Sequence, residues 1–376
     1  MLKIRKIQGE MNDDAFGFST AIGDINGDGH NEIIVVTTNQ PVGGSLKIYN
    51  HQRKHLKSFP LSKKKVSTIR ILTKDINQDQ VDEIIVGITY QDLSGEVKVY
   101  SYKMNKILLH LKSVEQYDAF GFAIASGDVD GDGVPDIIIA APQPTQDGRG
   151  KVYAYSGKDG SLIRKFSSRV PRGNSDFGTS VAAFDLNDDG MEEIIIGSPG
   201  NPEGEVYIYS GNHGWLMYKL TGDPGFGIHV HVDRLEENGP PVLFVTTKDL
   251  EGNRISAYQA PYFYPLFEID NDEVDIGFGE TMATGDLDGD GKKEIIVGAF
   301  DSPHKRKKYA GQVDIYSSID GSLLHRWYGI EEKDQFGFSL AAGKISSNQK
   351  DDLLIGAPRE ILKKKGNVYI VSLDQK

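Results

Sequence analysis

The sequence FGFAIASGDVDGDGVPDIIIAAP at residues 120–142, followed by GKVYAY at 150–155, decides the fold. A Phe-Gly pair leads into a segment that alternates large and small residues, then an Asp/Gly-rich turn, then a continuous apolar run. Such short apolar runs are typical of strands that are buried on both faces. Together with the alternating segment 151–155, the hairpin turn 157–160 and the segment 161–166, they predict four antiparallel strands, the first spanning 120–127.

The same unit recurs seven times, at intervals of about 50 residues. Its Phe-Gly pairs begin at Phe16, Phe120, Phe177, Phe226, Phe278 and Phe336, and repeat two lacks one. We expect one domain over 1–376, with repeats near 9–60, 61–112, 113–169, 170–221, 222–270, 271–329 and 330–376. This period predicts an all-β fold, a closed seven-bladed β-propeller of four-stranded antiparallel blades. Segment 2–8 is predicted to be the N-terminal strand that completes the last blade and closes the ring.

The composition argues against several classes of protein. A net charge of −12 disfavours nucleic acid as a partner, because phosphate binding needs a basic face. No apolar stretch is long enough to insert into a membrane, and the absence of cysteine excludes disulfides and thiolate metal sites. The first five residues are too few and too polar for a secretory signal. The chain is therefore either intracellular or, as we expect, a monomeric segment of an exported protein at the cell surface or outside the cell.

The loop between the first and second predicted strands carries oxygen-bearing side chains at positions 1, 3, 5 and 9, with Gly at position 6. With the backbone carbonyl of position 7, these oxygens can converge on one point, which suits Ca²⁺ better than Mg²⁺. Strands rather than helices flank the loops, so they are not EF-hands. The predicted ligands are Asp24, Asn26, Asp28, His30 and Glu32; Asp128, Asp130, Asp132, Val134 and Asp136; Asp185, Asn187, Asp189, Met191 and Glu193; and Asp286, Asp288, Asp290, Lys292 and Glu294. The alternative is that these loops are hairpin turns without metal, although clustered carboxylates repel strongly unless a cation lies among them.

Three loops depart from this pattern. Repeat two keeps a weaker set, Asp75, Asn77, Asp79, Val81 and Glu83, but has Gln80 where Gly is expected. A non-glycine residue at positive φ costs about 1–2 kcal/mol, which leaves a fifth metal site open. Repeats five and seven, aligned on Asp233 and Lys344, have lost the ligands and are predicted to bind no metal.

These motifs resemble the FG-GAP repeats of the integrin α-subunit N-terminal propeller. The Phe-Gly pairs above and Gly356-Ala357-Pro358, with Ala140-Ala141-Pro142 as a variant, carry the resemblance. It implies calcium loops on the lower face and partners on the opposite face, formed by the loops from strand two to three and from strand four to the next blade. The absence of cysteines and of Asn-x-Ser/Thr sites, unlike animal integrins, points to a prokaryotic integrin-like relative.

The implied partner face carries basic runs at 304–308, 363–365 and 63–65, which belong to consecutive blades of a closed ring. They predict a basic arc that binds a protein partner or an acidic glycan. The alternative is neutralisation by acidic neighbours in the loops entering blades six and seven, namely Asp270, Asp272, Glu273, Asp275, Glu331, Glu332 and Asp334.

No nucleophile elbow, phosphate-binding glycine loop or HExxH motif appears, so no enzyme is expected. We interpret the chain as an adhesion or recognition scaffold. The alternatives are a calcium-dependent lectin-like propeller and a polysaccharide-active enzyme. The predicted upper-loop aromatics, Tyr90, Tyr117, Tyr262 and Tyr309, are too scattered for repeated sugar sites. His229 and His231 point to one face of a predicted strand, where hydrogen-bonded packing competes with a metal or ligand role.

Overall fold

A computed structural model describes residues 2–12, 14–38, 43–113, 115, 117–143, 149–168, 176–200, 202–248, 252–271, 277–346, 350–359 and 364–373. These residues form 28 β-strands in seven four-stranded antiparallel sheets, one sheet per blade. Within the described ranges there is no helix with the length and hydropathy that crossing a bilayer requires. The predicted all-β propeller is confirmed.

The first three blades follow the chain in simple order, and in each blade the first strand is the innermost. Blade one contains β2 (Ser19–Gly23), β3 (Glu32–Thr37), β4 (Ser45–Tyr49) and β5 (His55–Pro60). Blade two contains β6 (Val66–Lys74), β7 (Glu83–Tyr90), β8 (Gly95–Ser101) and β9 (Lys106–Lys112). Blade three contains β10 (Ile124–Gly127), β11 (Asp136–Ala141), β12 (Lys151–Tyr155) and β13 (Leu162–Ser167).

The next three blades repeat this order. Blade four contains β14 (Ser180–Phe184), β15 (Glu193–Ser198), β16 (Gly204–Tyr209) and β17 (Leu216–Gly222). Blade five contains β18 (His229–Arg234), β19 (Pro241–Lys248), β20 (Asn253–Gln259) and β21 (Tyr264–Asp270). Blade six contains β22 (Phe278–Gly285), β23 (Glu294–Ala299), β24 (Gln312–Tyr316) and β25 (Leu323–Tyr328).

Blade seven is built from both ends of the chain. Its strands are β26 (Ser339–Gly343), β27 (Asp352–Ala357), β28 (Asn367–Leu373) and β1 (Leu2–Gln8). Strand β1 pairs antiparallel with β28, from Leu2 opposite Leu373 to Gln8 opposite Asn367. The innermost strands contact one another around the whole circle, including β2 with β26. The predicted ring closure by the N-terminal strand is therefore confirmed, and it covers an edge of β28 that would otherwise be open to pairing.

The hydrophobic core lies between blades rather than within one. The second strands are buried along their whole length in β3, β11, β15, β23 and β27, which explains their continuous apolar runs. At the seam between blades seven and one, Ile7, Leu354 and Ile370 pack with Phe16 and Ile33. Each blade is thus stabilised by burying its faces against two neighbours.

In five blades the Phe-Gly pair precedes the first strand, whereas in blade six β22 begins at Phe278. In blade three the first strand begins at Ile124, so the predicted strand 120–127 is too long. Phe120 is buried, and Gly121 has φ +84. A Cβ on Gly121 would lie 3.1 Å from the carbonyl oxygen of Glu96 in blade two. The Phe of the pair therefore packs each blade against the previous one. The next residue is Gly because a side chain there would contact the neighbouring backbone.

Hydroxyl groups on the innermost strands join neighbouring blades at this turn. The Ser180 hydroxyl donates to the Gly227 carbonyl oxygen (3.0 Å), and the Thr281 hydroxyl donates to that of Gly337 (2.8 Å). Ser339 donates to Gly17 in the same way (2.9 Å). The inner-strand residue that pairs with a second-strand glycine thus has a defined structural role in these blades.

Candidate metal centres

The acidic loops lie together on one face of the propeller. Strands alternate in direction within each blade, so every loop between the first and second strands lies at the same end. We call this end the lower face, and the opposite end the upper face. The loops from second to third strand, and from fourth strand to the next blade, belong to the upper face.

The blade-three loop is wound tightly around its first aspartate. The two carboxylate oxygens of Asp128 accept the backbone N–H groups of Gly131 (2.7 Å) and Gly133 (2.8 Å). The Asp130 carboxylate accepts the N–H of Asp132 (3.1 Å), whose own carboxylate accepts that of Val134 (2.9 Å). The same bonds recur at Asp24 in blade one and at Asp286 in blade six. Local bonding therefore preorients the carboxylates, and each oxygen keeps a further lone pair.

The winding requires positive φ at two positions, not one. In blade three these are position 4, Gly131 (φ +77), and position 6, Gly133 (φ +84). Blade two adopts the same conformation with Gln78 (φ 62) and Gln80 (φ 63). The predicted strain at Gln80 is therefore real, and position 4 doubles it. The sequence analysis missed position 4, although Gly at positions 27, 131 and 289 was a readable signal.

Position 9 is a buried carboxylate in all five acidic loops, and it ties the loop to the second strand. In blade three, Asp136 accepts the N–H of Val129 (3.0 Å), and in blade six Glu294 accepts that of Leu287 (2.9 Å). Burial, reinforced by the neighbouring loop carboxylates, raises the pKa of this group to about 7 in every case: Glu32, Glu83, Asp136, Glu193 and Glu294. A bound cation would favour the ionised form.

Blades three and six bring three acidic side chains together. Carboxylate oxygens of Asp128, Asp130 and Asp136 lie within 4.8 Å of one another, and so do those of Asp286, Asp288 and Asp290. No other such group of three is found in the parts of the chain that the structure describes. An oxygen-only donor set of this kind fits a hard divalent cation.

The loops of blades one, two and four differ at position 3, where Asn replaces Asp. The amide groups of Asn26, Asn77 and Asn187 donate to the position-9 glutamate at 2.8, 2.8 and 3.0 Å. The side-chain oxygen of Asn26 accepts the N–H of Asp28 (2.8 Å), as Asp130 does in blade three. These loops therefore keep the oxygen positions with one charge fewer.

Blade five corrects the predicted alignment. Asp233 pairs with Val242, as Gly23 pairs with Glu32 in blade one, so Arg234 and not Asp233 occupies position 1. The Arg234 guanidinium donates to the Gly239 carbonyl oxygen (2.8 Å) within its loop and to Asp188 of blade four. A fixed basic side chain thus stands where the acidic loops have a carboxylate.

Blade seven also has a basic residue, Lys344, at position 1. Its position-9 carboxylate, Asp352, accepts both the N–H and the hydroxyl of Ser346 at 2.7 Å. Residues 347–349 of this loop lie outside the described residues.

On the upper face, Lys305, Arg306 and Lys308 have exposed side chains and no ion pair within 4.0 Å among the described residues. Two acidic neighbours proposed as their neutralisers bind elsewhere: Glu331 and Asp334 pair with Arg359 at 3.1 and 2.5 Å. In the run at 63–65, Lys64 approaches Asp92 at 3.5 Å. Asp272, Glu273, Asp275 and Lys363 lie outside the described residues.

The upper-face aromatics are fewer than predicted. Tyr90 is buried at 6% exposure, so it cannot stack on a sugar. Tyr262 lies between β20 and β21 and therefore belongs to the lower face. Tyr117 (61% exposed) and Tyr309 (38%) remain.

The inner strands surround a central channel with a cavity of about 360 Å³. Its charged or titratable lining residues are Arg70, His229 and Glu280. The packing interpretation holds for His231, whose Nε2 is 3.1 Å from the Thr284 hydroxyl. It fails for His229, whose Nε2 is buried without a hydrogen-bond partner. The sequence analysis also missed Arg70, which replaces the small residue of other inner strands.

Comparison with known proteins agrees with this architecture. The FG-GAP repeat family matches residues 120–155, 177–209 and 278–316. Integrin alpha-5 of Xenopus laevis is 29% identical over 274 residues, covering 69% of this chain and 22% of the integrin. Integrin alpha-V of Gallus gallus is 29% identical over 272 residues, with the same coverage of 69% and 22%. The chain thus spans less than a quarter of these relatives.

Two solved structures share the fold at low identity. The Dos1 propeller has a TM-score of 0.53 at 11% identity, covering 92% of this chain and 76% of that one. The rhamnogalacturonan lyase YesW has a TM-score of 0.54 at 12% identity, covering 98% and 72%. These similarities concern the fold alone.

Proposed function

We propose that this chain, an integrin-like FG-GAP β-propeller, is a calcium-stabilised scaffold for adhesion or recognition at the cell surface or outside the cell, and that it performs no catalysis. The observation that carries the proposal is the convergence of Asp128, Asp130 and Asp136, repeated at Asp286, Asp288 and Asp290. Three carboxylates within hydrogen-bonding distance of a common point repel each other unless a cation is bound.

In each site the ion would be held by the side chains at positions 1, 3, 5 and 9 and by the carbonyl of position 7. In blade six these are Asp286, Asp288, Asp290, Glu294 and the carbonyl of Lys292. Ca²⁺ accepts such a flexible set of six to eight oxygens, whereas Mg²⁺ requires a strict octahedron. The ion would neutralise the loop and link the first and second strands, and it would take no part in bond making or breaking.

Four sites are proposed in blades one, three, four and six, and blade two supplies the fifth at lower affinity. Blade two shares Asn at position 3 with blades one and four, so what sets it apart is the pair Gln78 and Gln80, which adopt positive φ without being glycine. Blades five and seven, with Arg234 and Lys344 at position 1, are proposed to bind no ion.

Calcium titration by calorimetry of chelator-treated protein tests the metal sites. A D128N variant should lose one site from the measured stoichiometry, because it removes the position-1 carboxylate that all five acidic loops share and around which the blade-three loop is organised. The matched control is E237Q, which removes an exposed carboxylate from the blade-five loop and should leave the stoichiometry unchanged. Equal stoichiometry for the parent and D128N, or no binding heat at all, would contradict the proposal.

The partner surface is proposed to be the upper face, where Lys305, Arg306 and Lys308 are exposed and unpaired among the described residues. Their positive charge on an acidic chain favours an acidic protein partner through electrostatic attraction. Among the described residues, Tyr117 and Tyr309 are the exposed aromatic side chains of that face, so the sugar-binding alternative has less support.

Retention on immobilised polyglutamate and on immobilised polygalacturonate separates protein-like from glycan-like acidic ligands. A double substitution of Lys305 and Lys308 by Ser should reduce retention on polyglutamate. The control is the same double substitution at Lys54 and Lys106, two exposed lysines in the lower-face hairpins of blades one and two. Equal retention of both double variants would show that only net charge matters and would remove the upper-face assignment.

A further inference from the structure

The upper part of the channel breaks the sevenfold pattern at two places. Ser180, Thr281 and Ser339 occupy equivalent positions in the inner strands of their blades. Arg70 occupies this position in blade two, and His229 occupies it in blade five. Register identifies these positions as equivalent, because Arg70 pairs with Gly87 as Ser180 pairs with Gly197. A long basic side chain and an imidazole therefore project from inner strands three blades apart into one cavity.

Arg70 has no counter-ion in the described part of the protein. Among the described residues, the one hydrogen bond that its guanidinium makes is a weak one, from Nη1 to the carbonyl oxygen of Ile69 at 3.4 Å. The acidic lining residue, Glu280, is already paired with Lys248. Enclosure by the ring of strands lowers the pKa of the Arg70 guanidinium, although an arginine stays charged in proteins. The channel thus contains a positive charge whose hydrogen-bond donors remain almost unused.

His229 adds a second unused nitrogen. Its Nε2 is buried and has no hydrogen-bond partner in the described structure. Burial, followed by the nearby positive groups His231 and Arg70, lowers the pKa of His229 to about 3, so the imidazole is neutral. A neutral imidazole can donate one hydrogen bond from Nε2. Leaving such a buried group unpaired costs about 1–3 kcal/mol, which a ligand could recover.

Large apolar side chains share the lining around this pair with small hydroxyl residues such as Ser180 and Ser339. Phe18, Phe122, Ile228 and Phe338 line the same cavity, and the rings of Phe18 and Phe338 have centroids 5.0 Å apart. Where these apolar side chains displace water, the local dielectric is lower and a charge-assisted hydrogen bond is stronger. The surroundings therefore favour a small anionic group over an extended polar ligand.

We propose that the channel mouth binds a carboxylate, with the Arg70 guanidinium as its principal partner and His229 Nε2 as a second hydrogen-bond donor. Guanidinium and carboxylate match as planar, two-pronged partners, which favours a carboxylate over a point charge. The cavity of about 360 Å³ accommodates the side chain of an aspartate or glutamate, or a small organic acid. The site rests on the channel alone and not on metal binding or the basic arc.

The test uses the full chain labelled with ¹⁵N in its arginine and histidine side chains, in calcium-containing buffer. The probes are glutarate and a capped pentapeptide, Gly-Gly-Glu-Gly-Gly, with the all-glycine peptide as a blank. Saturable shifts of the Arg70 Nε–H and His229 Nε2 resonances are expected with glutarate or with the glutamate peptide. Shifts with both probes indicate a site open to free organic acids, and shifts with the peptide alone indicate an inserted side chain of a polypeptide.

R70Q should bind about tenfold or more weakly, since it removes a charge-assisted partner. R70K, which keeps the charge but not the planar pair of N–H donors, should bind with an affinity between those of R70Q and the parent. R53Q, which removes an exposed arginine from the lower-face hairpin of blade one, is the matched control and should bind as the parent does. Absence of shifts with both probes, or undiminished binding by R70Q, would overturn the proposal.

Discussion

Calcium binding is expected to release protons, in an amount set by the buried position-9 carboxylates. Burial raises the pKa of Glu32, Glu83, Asp136, Glu193 and Glu294 to about 7, and a liganding carboxylate must be ionised. At pH 7 each metal-free site therefore holds about half a proton, so filling four sites releases about two protons and filling five about 2.5. Per site, the release rises to about 0.9 at pH 6 and falls to about 0.1 at pH 8.

The assay is calorimetric titration in two buffers with different ionisation enthalpies. The difference in binding heat at pH 7, divided by the difference in ionisation enthalpy, gives the number of protons released. The affinity of each site should also be roughly tenfold weaker at pH 6 than at pH 8, because the proton competes with the ion.

E294Q sharpens this measurement, because glutamine has no proton to lose. The variant should release about half a proton fewer than the parent at pH 7. D320N, which changes an exposed carboxylate in a lower-face hairpin, is the control and should match the parent. Binding heats that are independent of the buffer at pH 7 would refute the reasoning, since they would mean that the carboxylates are already ionised without metal.

The same raised pKa values predict how the stability of the calcium-free protein depends on pH. The folded pKa of about 7 lies above an unfolded value of about 4.3 for Glu and 3.9 for Asp. The stability that these groups contribute is therefore fully present below pH 4 and is lost as the pH rises through 7. The melting temperature in chelator should fall between pH 5 and pH 8 relative to the calcium-loaded protein. An equal pH dependence with and without calcium would contradict this.

Three further predictions concern the ring. In chelator, the free energy of unfolding by urea should fall by about 2–5 kcal/mol in G17A, because the new Cβ would lie 2.7 Å from the Asn367 carbonyl oxygen. In G291A, where no atom lies within 4 Å of the new Cβ, it should fall by about 1–2 kcal/mol from φ strain alone. Equal losses would show that close packing against the neighbouring blade does not require Gly at position 17. R359A should cost about 3–5 kcal/mol because it leaves buried Asp334 without its partner, and a loss below 1 kcal/mol would contradict that. Deleting residues 2–8 should lower the melting temperature and cause concentration-dependent association, because β28 then has a free edge. Light scattering detects the association, and a monomer of unchanged stability would contradict the prediction.

Much of the fold was predictable because each repeat gives the same local signals in register. Buried second strands read as continuous apolar runs, and the orphan segment 2–8 matches the strand that blade seven lacks. The acidic loops were equally readable, because ligand spacing within nine residues is a local property of the chain.

Other features depend on packing that no local pattern reports. The blade-five loop was misaligned because the acid at Asp233 was matched to other acids, whereas the structure aligns the buried Leu235 with Ile25. Burial of the position-9 carboxylates follows from how blades stack, so their raised pKa values could not be inferred. Arg70 and His229 are far apart in sequence and meet only because the ring closes.

The pairing of Leu2 with Leu373 determines the face of the propeller at which a tag or anchor joined to either end would be attached. Both residues lie at the bottom of blade seven, since β28 runs downward and β1 begins beside its end. A fusion, biotin tag or surface anchor at either end would therefore hold the propeller from beneath and display the channel mouth outward. Immobilised through either end, the protein should present the same face to a ligand in solution.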